Sequence, residues 1–178
     1  MSKIALFGDS YIKRLEKFCG GFLGIPGDCR FYGVDGMRAD NPHQGLLREM
    51  LCFKPNALFI CLGGNDITAD CSTKEIFDKI VGIVSDAKSV AEHVYICEIM
   101  TRGIFRATGL RKKEFDKKRR LLNRYLRKTY GQYFVTFSDI RYPTHYDKDR
   151  VHLSTTTEGT VCGMKKFQCR ISRILCRH

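Results

Sequence analysis

The sequence predicts an α/β fold built on a five-stranded parallel β-sheet with helices on both of its faces. Short apolar runs of strand length alternate five times with longer segments whose apolar residues recur at helical spacing. The run at 57–62 is apolar at every position, as expected of a strand that is covered on both faces. Alternation of this kind is typical of a parallel sheet because each return to the same edge needs a crossover helix.

The predicted strands and helices follow one another in strict order. The strands cover residues 3–7, 29–32, 57–62, 93–99 and 133–137. The first helix follows an Asp-Ser pair and carries Ile12, Leu15 and Phe18, and the second begins behind Asn41-Pro42. The other three helices extend from about 73 to 91, 112 to 130 and 156 to 175. The chain has no repeat and no linker, so residues 1–178 are expected to form one domain.

The composition is that of an ordinary globular protein apart from its charge. Of the 178 residues, 43% are hydrophobic and 28% are charged, and this length suffices for one real core. The net charge of +12 is unusual and suggests acidic partners, of which nucleic acid is the usual one.

The cysteines and the chain start both favour an intracellular protein, cytoplasmic or nuclear. The nine cysteines are scattered and contain no Cys-x-x-Cys pair, which favours free thiols over a disulfide framework or a zinc site. No apolar run approaches the ~18 residues of a membrane span. Met1-Ser2-Lys3 leads directly into a strand rather than into a signal peptide.

Polar or glycine-bearing segments follow four of the predicted strands, and a parallel sheet would bring them to one edge. Ser10 lies at a helix N-terminus, where amide groups favour a developing negative charge. His152 can accept its proton, and Asp149 can orient the imidazole. The N–H groups of Ser10 and Gly36 and the Asn65 amide can hold an oxyanion. The set predicts acyl transfer with Ser10 as the nucleophile.

These segments resemble the four sequence blocks of the SGNH/GDSL hydrolases and occur in the family's order. The blocks are Gly8-Asp9-Ser10, Gly33 to Gly36, Gly63-Gly64-Asn65-Asp66 and Asp149-Arg150-Val151-His152-Leu153. The third and fourth blocks are the most specific. Tyr11 stands where the nominal pattern has leucine, and no chemical role is expected for it.

The resemblance implies a flavodoxin-like three-layer α/β/α sandwich. It also implies a name-giving quartet of Ser10, Gly36, Asn65 and His152, with Asp149 completing the triad. The activity it implies is hydrolysis of an ester, thioester or acetyl ester without a metal or a cofactor.

Each segment taken singly has a plainer explanation. Gly-Asp-Ser after a strand can be a helix cap, Asn65 and Asp66 can be turn formers, and His152 can be a surface histidine. The occurrence of all four blocks in order favours an intact hydrolase site. His43, His93, His145 and His178 are expected to be structural or exposed, and Asp9 to be a local hydrogen-bonding residue.

The substrate is expected to be a small ester. The loop at 102–111 follows the fourth strand and should overhang the site, so Arg102 and Phe105 are candidate substrate-binding residues. The other strand-to-helix loops are short, which favours a shallow site and small acyl groups such as acetyl.

The helix at 112–130 and the loop before it carry most of the net charge. From Arg102 to Lys128 there are twelve Lys and Arg residues against Glu114 and Asp116, a net charge of +10. Phe115, Leu122, Tyr125 and Leu126 form a core-facing stripe. The candidate nucleic-acid-binding residues lie opposite this stripe: Lys117, Arg120, Arg124 and Lys128. A solvated charged face is the plainer alternative.

Two classes of function therefore follow, a serine esterase and a module on the same scaffold that binds nucleic acid or an anionic membrane. They are compatible, because domains of this kind resemble those in the first open-reading-frame proteins of some LINE-type retrotransposons. In the last helix, Cys162, Cys169 and Cys176 recur every seven residues. They are expected either near the surface, where they could meet a partner, or as small residues on a broad buried face.

Overall fold

The computed structural model describes residues 1–105, 109–156 and 161–178. Its centre is a five-stranded, fully parallel sheet with the strand order β2-β1-β3-β4-β5. The strands are Lys3–Gly8 (β1), Asp28–Gly33 (β2), Ala57–Cys61 (β3), His93–Cys97 (β4) and Phe134–Val135 (β5). This order is flavodoxin-like, and its direction reverses between β1 and β3, which is where ligands bind in such sheets.

Within residues 1–105, 109–156 and 161–178, five helices connect and follow the strands. They are Ser10–Cys19 (α1), Gln44–Phe53 (α2), Thr73–Lys88 (α3), Lys112–Tyr130 (α4) and Gly163–Leu175 (α5), with short 3₁₀ turns at Gly64–Asp66 and Gly131–Tyr133. The N-cap side chains cap three of the starts: Asp9 accepts from the Tyr11 N–H, His43 from the Leu46 N–H and Ser72 from the Glu75 N–H. Among the residues that the structure describes, no helix is long and apolar enough to cross a membrane.

The sheet lies between two helical layers, which confirms the predicted three-layer α/β/α architecture. One hydrophobic cluster joins the sheet to α2, α3 and α4, and the other joins it to α1 and α5. Successive residues of β3 alternate between the clusters, so that Leu58 and Ile60 face the first while Phe59 and Cys61 face the second. All five residues of β3 are buried, as its continuous apolar run predicts.

The predicted bounds of α4 are confirmed, but the start of the last helix near Thr156 is wrong. The residues at 157–160 lie outside the described part of the chain, Thr156 is not helical, and α5 begins at Gly163. The chain just before 156 makes other contacts, since the Ser154 N–H donates to the His145 carbonyl at 2.9 Å. Ser154 in turn accepts at Oγ from the Gly163 N–H at 3.0 Å, where the helix starts.

Several other elements end earlier than predicted. β4 ends at Cys97 because the backbone of Ile99 bonds to a side chain instead of to a neighbouring strand. The Asn123 side chain of α4 accepts from the Ile99 N–H at 2.8 Å and donates to the Ile99 carbonyl at 2.9 Å. β5 is two residues long because Phe137 N–H donates to the Glu98 carboxylate instead of to a strand. α3 ends at Lys88, three residues before the expected end.

The three cysteines of the last helical segment do not share one environment. Cys169 and Cys176 are exposed, whereas Cys162 precedes the first turn of α5 and is buried. The surface alternative therefore fits Cys169 and Cys176, and the buried alternative fits Cys162. All nine cysteines are free thiols.

Phe59 tests the packing that holds α5 to the sheet. Its ring is fully buried and contacts Phe137 and Phe167 edge to face, with centroids at 6.5 and 6.1 Å. We expect Phe59→Ala to lower the free energy of unfolding by about 3–5 kcal/mol, because it removes buried apolar surface and leaves a cavity. Urea denaturation measures the loss. Phe22→Ala is the control, since Phe22 is 68% exposed and its loss should stay within about 0.5 kcal/mol. Equal losses in both variants would contradict this packing.

Candidate active site

Ser10 is the first residue of α1 and lies at the carboxyl edge of the sheet. The turn that positions it requires glycine at position 8, because a Cβ there would lie 2.2 Å from the Cys61 carbonyl oxygen of β3. The next residue, Asp9, donates its N–H to the same carbonyl at 3.2 Å and caps α1 with its side chain. The chain thus leaves β1 in close contact with β3 and presents Ser10 at a helix N-terminus.

The structure brings Ser10, His152 and Asp149 into one hydrogen-bonded chain. The Ser10 Oγ lies 2.9 Å from His152 Nε2, and His152 Nδ1 lies 2.6 Å from Asp149 Oδ2. The other carboxylate oxygen accepts the N–H groups of Val151 and His152, both at 2.9 Å. One carboxylate therefore shapes its own loop and orients the imidazole.

Asp149 stays ionised over the whole neutral range. Burial acts to raise its pKa, but the hydrogen bonds from the backbone and ring of His152 and from the Val151 N–H outweigh burial and lower the pKa to about 2. Arg14 adds a cation at 3.7 Å. An ionised acceptor at Nδ1 fixes the imidazole tautomer that carries its proton there, so that Nε2 is free to accept from the Ser10 hydroxyl.

Tyr11 is a structural residue of this site, and the sequence analysis missed its role. Its ring is buried, and its hydroxyl donates to the Val151 carbonyl at 2.7 Å. The ring also lies 6.1 Å from the His152 imidazole, between centroids. The residue that departs from the nominal GDSL pattern therefore attaches the histidine loop to the nucleophile helix. The leucine of the nominal pattern has no hydrogen-bond donor in its side chain, so the pattern gave no signal of the contact between Tyr11 and Val151.

Gly36 and Asn65 line the same cavity as Ser10 and His152. Gly36 has φ +73, a backbone conformation that favours glycine, and the space around its missing Cβ is open. Asn65 Nδ2 donates to the Met37 carbonyl at 3.1 Å and lies 3.5 Å from Asp9 Oδ2. The second distance is at the limit of a hydrogen bond, so this N–H of Asn65 is only weakly engaged.

Two further buried carboxyl groups fix the loops of the site. Asp66 accepts the N–H groups of Ala39 and Asp40 at 2.9 and 3.1 Å and so holds the loop that contains Gly36. Asp9 caps α1 as expected of a local hydrogen-bonding residue. Burial raises the pKa of both, that of Asp9 to about 6, although the Tyr11 N–H acts to lower it.

A cavity of about 490 Å³ opens above these groups. Arg102 and Phe105 both line it, as expected of a loop that follows β4, while residues 106–108 of that loop lie outside the described part. The predicted blocks and the 102–111 loop contribute further lining residues, namely Asp35, Gly64, Ile104, Leu110 and Val151. The lining residues that the sequence analysis missed are Arg14, Arg38, Ile67, Thr68 and Phe115. They come from many separate segments, so no local pattern identifies them.

The cations of α4 fall into two groups. Lys112 and Arg119 bind Asp116 at 2.9 and 3.0 Å, and Lys118 donates to backbone carbonyls that include Thr68 at 2.8 Å. These three cations therefore form contacts within the fold. The four candidate nucleic-acid-binding residues are all exposed and form no ion pair within the described chain: Lys117, Arg120, Arg124 and Lys128.

Metal ligands do not cluster in the described residues, since no group of three or more His, Cys, Asp or Glu side chains there could hold an ion.

The fold is a flavodoxin-like α/β sandwich, and a serine, a histidine and an aspartate form a hydrogen-bonded chain at the carboxyl edge of its sheet. Residues 6–157 match the GDSL-like lipase/acylhydrolase family, and the chain belongs to this family. It is accordingly a hydrolase of the GDSL type, as the resemblance predicts. No curated protein matches the chain significantly in sequence.

Solved structures similar to this chain share its fold at low sequence identity. A GDSL-like lipase from Bacteroides thetaiotaomicron has a TM-score of 0.72 at 17% identity, over 99% of this chain and 88% of that one. A lipase/acylhydrolase from Enterococcus faecalis has a TM-score of 0.72 at 16% identity, covering 99% and 96%. An acetylxylan esterase from Geobacillus stearothermophilus has a TM-score of 0.63 at 15% identity, covering 99% and 93%.

Asp9 and Asp149, whose pKa values are shifted in opposite directions, predict opposite effects of pH on the free energy of unfolding. The pKa of Asp9 is raised to about 6 in the folded protein. Its contribution to the free energy of unfolding is therefore lost as pH rises from about 4 to about 6. Over that window, Asp9→Asn should gain on the order of 3 kcal/mol of unfolding free energy relative to the wild type. Urea denaturation at a series of pH values measures the difference.

Asp149→Asn is the matched control with the opposite sign. Because the pKa of Asp149 is lowered to about 2, its stabilisation is present above about pH 4 and is lost as pH falls toward 2. The wild type should therefore gain stability relative to Asp149→Asn as pH rises through this lower window. A difference between the wild type and Asp9→Asn that does not change with pH would contradict the burial of an ionisable Asp9.

Proposed function

We propose that the chain, acting as a single domain, is a serine esterase that hydrolyses short-chain, acetyl-type esters with Ser10, His152 and Asp149 as its catalytic triad. The observation that carries this proposal is the hydrogen-bonded chain from the Ser10 hydroxyl through the imidazole, at 2.9 Å, to the carboxylate at 2.6 Å. A serine at a helix N-terminus beside a fixed imidazole is the arrangement that activates a hydroxyl nucleophile.

The proposed cycle uses only side chains, backbone amides and water. The Ser10 proton passes to His152 Nε2 while Oγ forms a bond to the ester carbonyl carbon. The oxyanion of the tetrahedral intermediate accepts from the N–H groups of Ser10 and Gly36 and from Asn65 Nδ2. The bond to the alcohol oxygen then breaks, and His152 returns the proton to it. His152 next deprotonates a water molecule, whose oxygen attacks the acyl carbonyl carbon. The bond from this carbon to Ser10 Oγ then breaks, His152 returns the proton to Oγ, and the acid leaves.

The lining of the cavity supports a small acyl group. A long hydrocarbon chain needs a continuous apolar channel, but polar side chains such as Arg38 and Thr68 interrupt the lining here. Phe105 offers an apolar contact of limited extent, with its ring 4.9 Å from that of Phe115 between centroids. Arg102 and Phe105 are the proposed substrate-binding residues.

Ser10→Ala tests the nucleophile. We expect turnover of 4-nitrophenyl acetate to fall to the uncatalysed rate, and labelling by a fluorophosphonate probe to disappear, because both need the hydroxyl. Asp149→Asn should keep the hydroxyl but lower kcat by roughly 10²–10⁴-fold, through the wrong imidazole tautomer. Ser85→Ala, on the exposed face of α3, is the matched control and should retain full activity. Full activity in Ser10→Ala would remove this residue from the proposed role.

A second candidate function is binding of nucleic acid by α4, with an anionic membrane surface as the alternative ligand of the same cations. It is favoured by the four exposed cations of its outer face, which are left without ion-pair partners in the described chain: Lys117, Arg120, Arg124 and Lys128. Binding through phosphates would be indifferent to sequence. A likeness to the esterase domains of LINE-type retrotransposon proteins would give both functions a place in one chain.

The double variant Arg120→Glu/Arg124→Glu tests this surface. We expect it to bind a single-stranded RNA oligonucleotide about tenfold or more weakly at low salt, because two phosphate contacts become repulsive. Fluorescence anisotropy at several salt concentrations measures the affinity and its salt dependence. Arg48→Glu/Lys79→Glu changes the net charge equally on α2 and α3 and should bind like the wild type. Equal losses in both variants, or binding only to anionic vesicles, would contradict a nucleic-acid surface on α4.

A further inference from the structure

Four charged residues line the active-site cavity in addition to the triad. Three of them form an ion pair with an oppositely charged residue that does not line the cavity. Arg14 lies 3.7 Å from Asp149, Arg38 binds Asp40 with its Nε at 2.8 Å, and Asp35 pairs with Lys13. The fourth, Arg102, has no carboxylate within ion-pair distance among the described residues. It is thus the cavity cation without an ion-pair partner among the described residues, although its charge acts to lower the pKa of the nearby buried Asp9.

The contacts of Arg102 hold its guanidinium in place but leave part of its hydrogen-bonding capacity unused. Nη1 donates to the neutral Asn65 Oδ1 at 3.2 Å, and the guanidinium carbon lies 5.4 Å from the centre of the Phe115 ring. Nε is buried and has no hydrogen-bond partner in the described part of the chain. A buried donor without an acceptor is unfavourable, and an anion is the acceptor that suits a guanidinium fork.

The backbone and the neighbouring glycine fix where this guanidinium lies. A Cβ on Gly64 would lie 2.4 Å from Nη2, so the absence of a side chain there makes room for the fork. The Lys112 ammonium donates to the Arg102 carbonyl at 3.2 Å, and the N–H of Gly103 donates to the Arg150 carbonyl at 2.7 Å. The second bond joins the loop of Arg102 to the loop that carries His152. The position of the cation is thereby set before a ligand arrives.

The geometry points to a substrate that carries an anionic group, a carboxylate or a phosphate, which Arg102 binds while the ester carbonyl lies at Ser10. This inference rests on the proposed esterase function and names the chemical class of its substrate. One hydrogen bond joins Arg102 to Asn65, so the anionic group would bind beside the oxyanion donor. The apolar wall of Phe105 and Phe115 fits a short hydrocarbon segment between the two ends of such a substrate.

Two pairs of esters test the class and show which part of the substrate bears the charge. On the acyl side, mono-4-nitrophenyl adipate is compared with 4-nitrophenyl hexanoate, which has the same chain length and a methyl in place of the carboxylate. On the alcohol side, 4-acetoxybenzoate is compared with its methyl ester. Each kcat/KM is divided by the uncatalysed rate of the same ester, so that leaving-group differences cancel.

We expect the wild type to prefer the anionic member of at least one pair by about tenfold or more, as a charge-assisted hydrogen bond allows. Arg102→Gln should lose this preference while keeping an amide that can donate to Asn65, and Arg102→Lys should keep part of it. Arg48→Gln, an exposed arginine on α2, is the matched control and should keep all of it. No anionic preference in the wild type, or an unchanged preference in Arg102→Gln, would overturn the inference.

Binding to the Ser10→Ala protein separates this inference from the proposed function. Calorimetry with 4-acetoxybenzoate and with monomethyl adipate should show anion binding that weakens about tenfold in Ser10→Ala/Arg102→Gln. Absence of this binding, or binding that does not depend on Arg102, would overturn the inference even if the wild type is an esterase. Conversely, full turnover of 4-nitrophenyl acetate by Ser10→Ala would end the proposed function, whatever Arg102 binds.

Discussion

The close contact between the ends of β1 and β3 is the constraint on which the site depends. Gly8 lies against the Cys61 carbonyl with no room for a side chain, and the next N–H donates to the same oxygen. The two strands leave the sheet together, one toward Ser10 and the other toward Asn65. Ser10 and Asn65, the proposed nucleophile and oxyanion donor, therefore come to one edge from segments far apart in sequence, and this is also where the strand order reverses.

The site uses one device three times, a short acidic side chain that accepts backbone N–H groups of an irregular segment. Asp9 does this at the start of α1, Asp66 in the loop of Gly36, and Asp149 in the loop of His152. The three differ in solvation and in partners. Burial raises the pKa of Asp9 and Asp66, whereas hydrogen bonds from a ring and two amides lower that of Asp149. Only Asp149 combines loop shaping with the orientation of an imidazole.

The fold and the triad geometry were accessible from the sequence because both follow from local patterns repeated in order. Continuous apolar strands predict a covered parallel sheet, and a parallel sheet brings the residues after its strands to one edge. What the sequence missed depends on contacts across long separations. α5 starts late because Ser154 bonds to His145 and Gly163, and β4 ends early because Asn123 of α4 bonds to Ile99.

The distribution of charge on the surface was the feature least completely predicted from the sequence. The run of cations in α4 predicts one basic face, but Lys118 crosses to backbone carbonyls of the loop after β3, and Lys112 and Arg119 share one aspartate. These side chains contribute to holding the wall of the cavity. The remaining exposed cations form a smaller basic surface than the composition suggests.

The hydrogen bond from Tyr11 to the Val151 carbonyl has a mechanical consequence. Ser10 and His152 are 142 positions apart in the chain, yet the phenol couples the helix that begins at one to the loop that holds the other. Displacing α1 relative to that loop therefore breaks this hydrogen bond as well as the one between Ser10 and His152. The phenol is a second point of attachment between two segments that the chain itself does not hold together.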